Sequence, residues 1–312
     1  MSAGTQSEPG TSVGAAVATA YNASSVTFRV LRAFGWGPLL NLGYYPFGKP
    51  LTLLNFLATP LLFTPFLRLP AAQLNLVRKG VARLNLRHGH RVLDVGCGRG
   101  TSSYLMAAAH PDTQVTGIDL LPDHVMVART LYGNTPNLAY VEGDALHLDF
   151  PERSFDRVLC LEAAFHFPDR ARFLSELSRV VVDGARVVIV DFMWKDDAAR
   201  GLCSEEMRRL VQNTWQWENF DSVAEYQHNA RRNGFAVEAC LDWSSHVTAP
   251  LRTIFDTVAG LARWRWGRRL LCSYHPPLRA LSDDDWREFG RAAVAHGAIH
   301  RAAQYAALVL NR

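Results

Sequence analysis

The 312-residue sequence predicts an α/β fold, a mostly parallel sheet whose strands are joined by crossover helices. Three observations predict it. Short apolar runs alternate with helix-period segments between residues 75 and 195. One of these runs, Val92-Leu93-Asp94-Val95, enters a loop with glycines at three alternate positions, Gly96, Gly98 and Gly100. Hydrophobic residues make up 48% of the chain, enough for one large core and an accessory layer.

The first strand leads into the glycines, which let the backbone turn sharply and approach a ligand where a Cβ would clash. Thr101 and Ser102 open a helix whose free N–H groups face that loop. Residues 114–119 form a second strand ending in Asp119, and a helix starts at Pro122. A third strand, 138–142, runs into Gly143-Asp144-Ala145. A fourth runs from Phe155 towards Glu162. Residues 177–192 give a helix, a turn at Asp183-Gly184 and an apolar fifth strand. The next segment, 198–220, is charged and then aromatic. Residues 221–233 form a helix stopped by Gly234, 235–247 a strand, 250–300 further helix, and 303–310 a last strand.

An acid-ended strand with a glycine loop is a nucleotide-type cofactor site at the C-terminal edge of a sheet. The dinucleotide fingerprint fails because Thr101 stands where its third glycine is required. A phosphate-binding loop fails for want of a lysine. Asp94-x-Gly96-x-Gly98-x-Gly100 instead resembles motif I of the class I S-adenosylmethionine-dependent methyltransferases, in their small-molecule (natural-product and sterol-like, type 11) group. That resemblance implies a Rossmann-like seven-stranded sheet with its last strand antiparallel. It also implies a helical N-terminal cover and an inserted helical cap. The organisation expected is a disordered tail (1–15), a cover (16–75) and a cofactor-binding core (76–197). Cap insertions (198–220 and 248–300) and closing strands (221–247 and 301–312) complete it.

The cofactor implied is S-adenosylmethionine, with S-adenosylhomocysteine as product. Asp94 would meet its ammonium, Asp119 its ribose hydroxyls and Asp144 its adenine amino group, with Gly96, Cys97, Gly98, Gly100, Leu120, Ala145 and Leu161 around it. Glu162-Ala163-Ala164-Phe165-His166-Phe167-Pro168-Asp169 follows the fourth strand and carries the catalytic candidates. His166 suits removal of a proton from an oxygen acceptor near neutral pH. For a carbon acceptor, Glu162 and aromatic faces would stabilise a cation and remove a proton. Tyr21, Tyr44, Tyr45, Phe165, Phe167, Trp215 and Trp217 are the substrate-binding candidates. Aromatic-rich insertions suit a hydrophobic small molecule of polyketide, terpenoid or quinone kind. A peripheral-membrane lipid or quinone methyltransferase and a cofactor-binding, non-methylating cyclase stand as alternatives.

A net charge of +4 is too mild to point to nucleic acid. The Asn/Asp-Pro-Pro-Tyr/Phe motif of base amino methylation is replaced by Glu162-Ala163-Ala164-Phe165. Cys97, Cys160, Cys203, Cys240 and Cys272 are scattered, without a CxxC pair, which fits a reducing cytoplasm and no dedicated metal site. Residues 50–67 carry no charge but include Pro60 and Pro65, which suits a wall over the cleft and leaves membrane contact open. Homo-oligomerisation is open too. Arg263-Trp264-Arg265-Trp266-Gly267-Arg268-Arg269 interleaves cations and aromatics; its plainest reading is a solvated helix face with snorkelling side chains. Ser282 followed by Asp283, Asp284 and Asp285 reads as a helix cap rather than a metal site.

Overall fold

A computed structural model describes residues 26–33, 39–46, 69–215 and 221–312, apart from the side chains of residues 69 and 213–215. The expected tail, the uncharged run 50–67, Tyr21, Trp217 and the indole of Trp215 lie outside the described residues. Helices α1 (Val26–Ala33) and α2 (Leu69–Leu84) precede the sheet. Then come β1 (Arg91–Val95), α3 (Thr101–Ala109), β2 (Gln114–Asp119), α4 (Pro122–Tyr132), β3 (Leu138–Glu142) and β4 (Phe155–Leu161). The chain continues through α5 (Arg170–Val180), β5 (Val181–Trp194), α6 (Asp197–Gly201), α7 (Glu205–Trp215), α8 (Val223–Arg232) and β6 (Ala236–Asp242). Helices α9 (Thr248–Ala262), α10 (Arg265–Tyr274) and α11 (Asp283–Ala302) lead into β7 (Ala303–Asn311).

The seven strands form one sheet in the order β3-β2-β1-β4-β5-β7-β6. β7 runs antiparallel between β5 and β6, and the other strands share one direction. At the centre of the sheet β1, β4 and β5 are largely buried, because crossover helices cover both faces of a parallel sheet. Strand order reverses between β1 and β4, where Asp94 pairs with Leu159 and Val95 with Cys160. That switch point brings together the loops that follow β1, β2 and β4, the place where open α/β sheets take their ligands.

Two predicted boundaries move. The Asp183-Gly184 turn is a bulge inside β5: Phe155 and Arg157 on β4 pair with Val181 and Arg186, and Gly184 absorbs the extra residues at φ 78°. β6 ends at Asp242 rather than 247, because the Asp242 carboxylate accepts the Ser244 N–H and turns the chain. At the start of α8, Ser222 and Glu225 form a reciprocal capping box, as Ser282 and Asp285 do for α11.

Candidate cofactor and acceptor site

The glycine loop is shaped by what stands behind it. Gly96, Gly98 and Gly100 all have positive φ, at 67°, 56° and 83°. A Cβ on Gly96 would lie 2.3 Å from Ala163 Cβ, and one on Gly100 would meet Ala128 and the Tyr140 ring at 2.6–2.7 Å. At Gly98 the nearest atom would be Leu40 Cδ1 at 3.6 Å, so this residue faces open space. Gly96 and Cys97 donate to the Ile118 carbonyl, and Gly98 N–H donates to Asp119 Oδ2 at 2.8 Å. Asp119 Oδ1 accepts the Leu121 N–H and lies 3.2 Å from His124 Nδ1. The second-strand acid therefore ties the glycine loop to the turn that starts α4.

That open space is a cleft lined by Gly96, Cys97, Gly98, Asp119, Leu120, Asp144, Ala145, Leu161, Glu162, His166 and Phe167. Most of the predicted residues thus meet in one place. Asp94 stands behind it. Its Oδ2 accepts both Ser102 and Ser103 hydroxyls at 2.6 Å, while burial pushes its pKa up to about 6. The carboxylate predicted to meet an ammonium fastens α3 to β1. Asp144 Oδ1 accepts the Leu146 N–H in a tight turn beside Ala145.

The opposite wall begins at Glu162, whose backbone is left-handed (φ 51°), a conformation a non-glycine residue holds only when its surroundings enforce it. Both its carboxylate oxygens lie 3.1 Å from the Leu42 N–H, and Tyr305 donates its hydroxyl to Oε1 at 2.6 Å. Burial pushes this carboxyl up to about 8 against those lowering hydrogen bonds. Asp191, on β5, accepts the Phe165 N–H at 2.8 Å and the Phe192 N–H at 2.7 Å, so it fixes the turn that carries His166. Burial lifts Asp191 to about 7. His166 is half-buried on the cleft wall with its ring 4.0 Å from that of Phe165.

Three substrate-binding candidates point elsewhere. Phe165 is buried against Phe192, edge to face. Tyr44 stacks on His246 at 4.7 Å and meets Trp243 edge-on. Tyr45 is 2% exposed, and its main chain pairs with His246 through both N–H and carbonyl. These two tyrosines pack the cover onto the turn after β6. The residues of the cover that line the cleft are Leu39, Leu40 and Asn41, held by Gln73, whose amide donates to the Leu39 and Asn41 carbonyls.

The sequence reading missed Gln73, His124, Asp191 and Tyr305. His124, two residues after Pro122, had a local signal in its closeness to Asp119. The others had none, since each acts across strands or across the cover.

Comparison with known proteins agrees with this geometry. Residues 93–189 match the family described as "Methyltransferase domain". Over 226 residues the chain is 31% identical to a 2-methyl-6-phytyl-1,4-hydroquinone methyltransferase of Synechocystis sp., covering 72% of this chain and 66% of that one. The chain belongs to the class I S-adenosylmethionine-dependent methyltransferases. A 27-O-demethylrifamycin SV methyltransferase of Amycolatopsis mediterranei is 34% identical over 168 residues, 52% of this chain and 60% of the other. The chain spans 44–66% of the length of the curated relatives it matches. Geranyl diphosphate C-methyltransferase from Streptomyces coelicolor A3(2) shares the fold, with TM-score 0.68, 14% identity and coverage of 99% and 100%. The [4+2]-cyclase SpnF also shares it, with TM-score 0.64, 18% identity and coverage of 93% and 94%.

The residues present fit the family's cofactor. Gly98 leaves a cradle that a Cβ would fill, and Asp119 presents a carboxylate at the β2 end, the acceptor that the hydroxyls of a ribose diol require.

Proposed function

We propose that this protein transfers a methyl group from S-adenosylmethionine to an oxygen or carbon of a hydrophobic small molecule of polyketide, terpenoid or quinone kind. The observation that carries the reading is a single cleft with two chemically different walls. One wall is the glycine loop with Asp119 and Asp144; the other is His166, Phe167, Leu39 and Leu40. When bound, the cofactor supplies an electrophilic methyl on a sulfonium, released as the neutral thioether once the acceptor's electron pair bonds to carbon. Asp119, Asp144 and Gly98 hold and orient it. Leu39, Leu40 and Phe167 exclude water from the acceptor side, and positioning of this kind supplies most of the acceleration in group transfer.

The oxygen branch is favoured because His166 stands on the cleft wall, where an imidazole takes a hydroxyl proton near neutral pH. Glu162, which also lines the cleft, is held by Leu42 and Tyr305 and so positions the cover and the strand end. The named activities of the quinol and rifamycin relatives support this substrate class.

The test is calorimetric titration with S-adenosylmethionine and S-adenosylhomocysteine, followed by labelled-methyl transfer to prenylated hydroquinones and polyketide alcohols. Label should appear in a product with wild type and fall by about 10²–10⁴-fold with His166→Ala, the range of general-base contributions. Cofactor binding with turnover but no label in any product would favour the cyclase reading. Absence of cofactor binding would overturn the assignment.

A further inference from the structure

Helix α10 carries a surface that the reaction does not use. Trp266, Leu270 and Tyr274 recur every fourth residue and so share one helix face. They are 61%, 39% and 49% exposed, and Trp264 just before them is 60% exposed. Gly267 and Leu271, on the adjoining face, are buried against the cap. Arg263, Arg265 and Arg269 are exposed along the other edge, and Arg279 lies exposed beyond the helix.

The charge of this stretch is one-sided. Residues 263–281 hold five arginines and no acid, and the remainder of the chain has 28 basic against 29 acidic side chains. Arg268 is held by Asp283, and no ion pair is formed by Arg263, Arg265, Arg269 or Arg279 among the described residues.

An apolar aromatic stripe beside a basic edge matches a headgroup layer, where indole and phenol rings sit at the apolar boundary and guanidinium groups meet phosphate. We propose that α10 docks this protein on an anionic lipid surface, with Trp264, Trp266, Leu270 and Tyr274 inserted and Arg263, Arg265 and Arg269 on lipid phosphates. A second copy of the chain would present the same uncompensated arginines and be repelled. The ridge also adjoins the cover: His275 Nδ1 lies 3.1 Å from the Ala33 carbonyl at the end of α1, and Arg29 of α1 pairs with Asp285 of α11. The docking face and the cover whose residues 39–41 wall the cleft therefore share contacts.

The experiment is flotation of the full-length protein with vesicles of equimolar phosphatidylglycerol and phosphatidylcholine, against phosphatidylcholine alone. Wild type should float with the anionic vesicles at low salt and be released at 1 M salt, where the screening length falls to about 3 Å. Arg263→Glu/Arg265→Glu/Arg269→Glu should weaken partitioning at least about tenfold. Trp266→Ala/Leu270→Ala should weaken it under conditions where cofactor titration shows the fold intact. Tryptophan emission should shift to the blue on binding only while Trp264 and Trp266 are present. The proposal is overturned by failure of wild type to float, by equal flotation of the variants, or by preference for neutral vesicles. Self-association in sedimentation, abolished by the same variants and without flotation, would assign the face to a second copy instead.

Discussion

The two walls of the cleft are held by carboxylates of opposite character. Asp119 is satisfied locally, by N–H groups of Gly98 and Leu121 and by His124, all within 21 positions of it. Glu162 is satisfied by Leu42 and Tyr305, 120 and 143 positions away. One wall is therefore a property of consecutive strand-loop-helix units. The other exists only once the cover and the last strand have arrived. The difference shows that the two walls rest on separable parts of the chain.

The strongest way to break the local wall is through its backbone. Gly96→Ala combines left-handed strain with a 2.3 Å clash on Ala163, and should cost about 2–5 kcal/mol in denaturant unfolding. Next in size, Asp119→Ala should weaken S-adenosylhomocysteine binding by about 10–100-fold in calorimetry, the value of one or two charge-assisted hydrogen bonds. It should leave the acceptor wall intact.

The long-range wall is tested by Tyr305→Phe, which strips the buried Glu162 carboxyl of its hydroxyl partner. A loss of about 1–3 kcal/mol in stability is expected. The defect should fall on acceptor turnover more than on cofactor affinity; equal losses in both would merge the two walls into one unit.

The smallest effect is in pH dependence. Burial raises Glu162 to about 8, and Asp191 to about 7, above their ordinary values. The folded state then holds protons that the unfolded chain releases. The penalty is absent below about pH 4 and grows as pH rises through the folded values. Buried His296, lowered to about 4, acts in the other direction below its ordinary range. The difference between wild type and Glu162→Gln cancels that histidine. The variant should gain a few degrees of Tm relative to wild type between pH 5 and pH 9, and a constant offset would contradict the raised value.

The same contrast decides what was legible in the sequence. β1, the glycine loop, β2 with Asp119 and the Gly143-Asp144-Ala145 turn were readable because each signal and its physical consequence lie in one short segment. The seven-stranded sheet followed from the family resemblance and is what the chain forms. Tyr44 and Tyr45 were expected in the active site. The structure spends their rings on Trp243, His246 and the core, and sequence carries no trace of contacts made across two hundred residues. Phe165 was misplaced for a similar reason: its neighbour His166 faces the cleft while Phe165 turns to Phe192 across β5. Asp94 was placed correctly at its strand end, but its serine partners on α3 were not foreseen.

Leu42 and Tyr305 reach Glu162 from opposite ends of the chain, which sets an order of assembly during synthesis. β1 to β4 leave the ribosome and can pair well before β7 has been translated. At that stage the nascent protein owns its glycine loop and Asp119, while Glu162 waits for its hydroxyl. Cofactor taken up then would act as a ligand for the half-made domain and steady it until translation ends. The wall that Glu162 begins is the last piece to be finished, because its hydroxyl partner Tyr305 lies on β7.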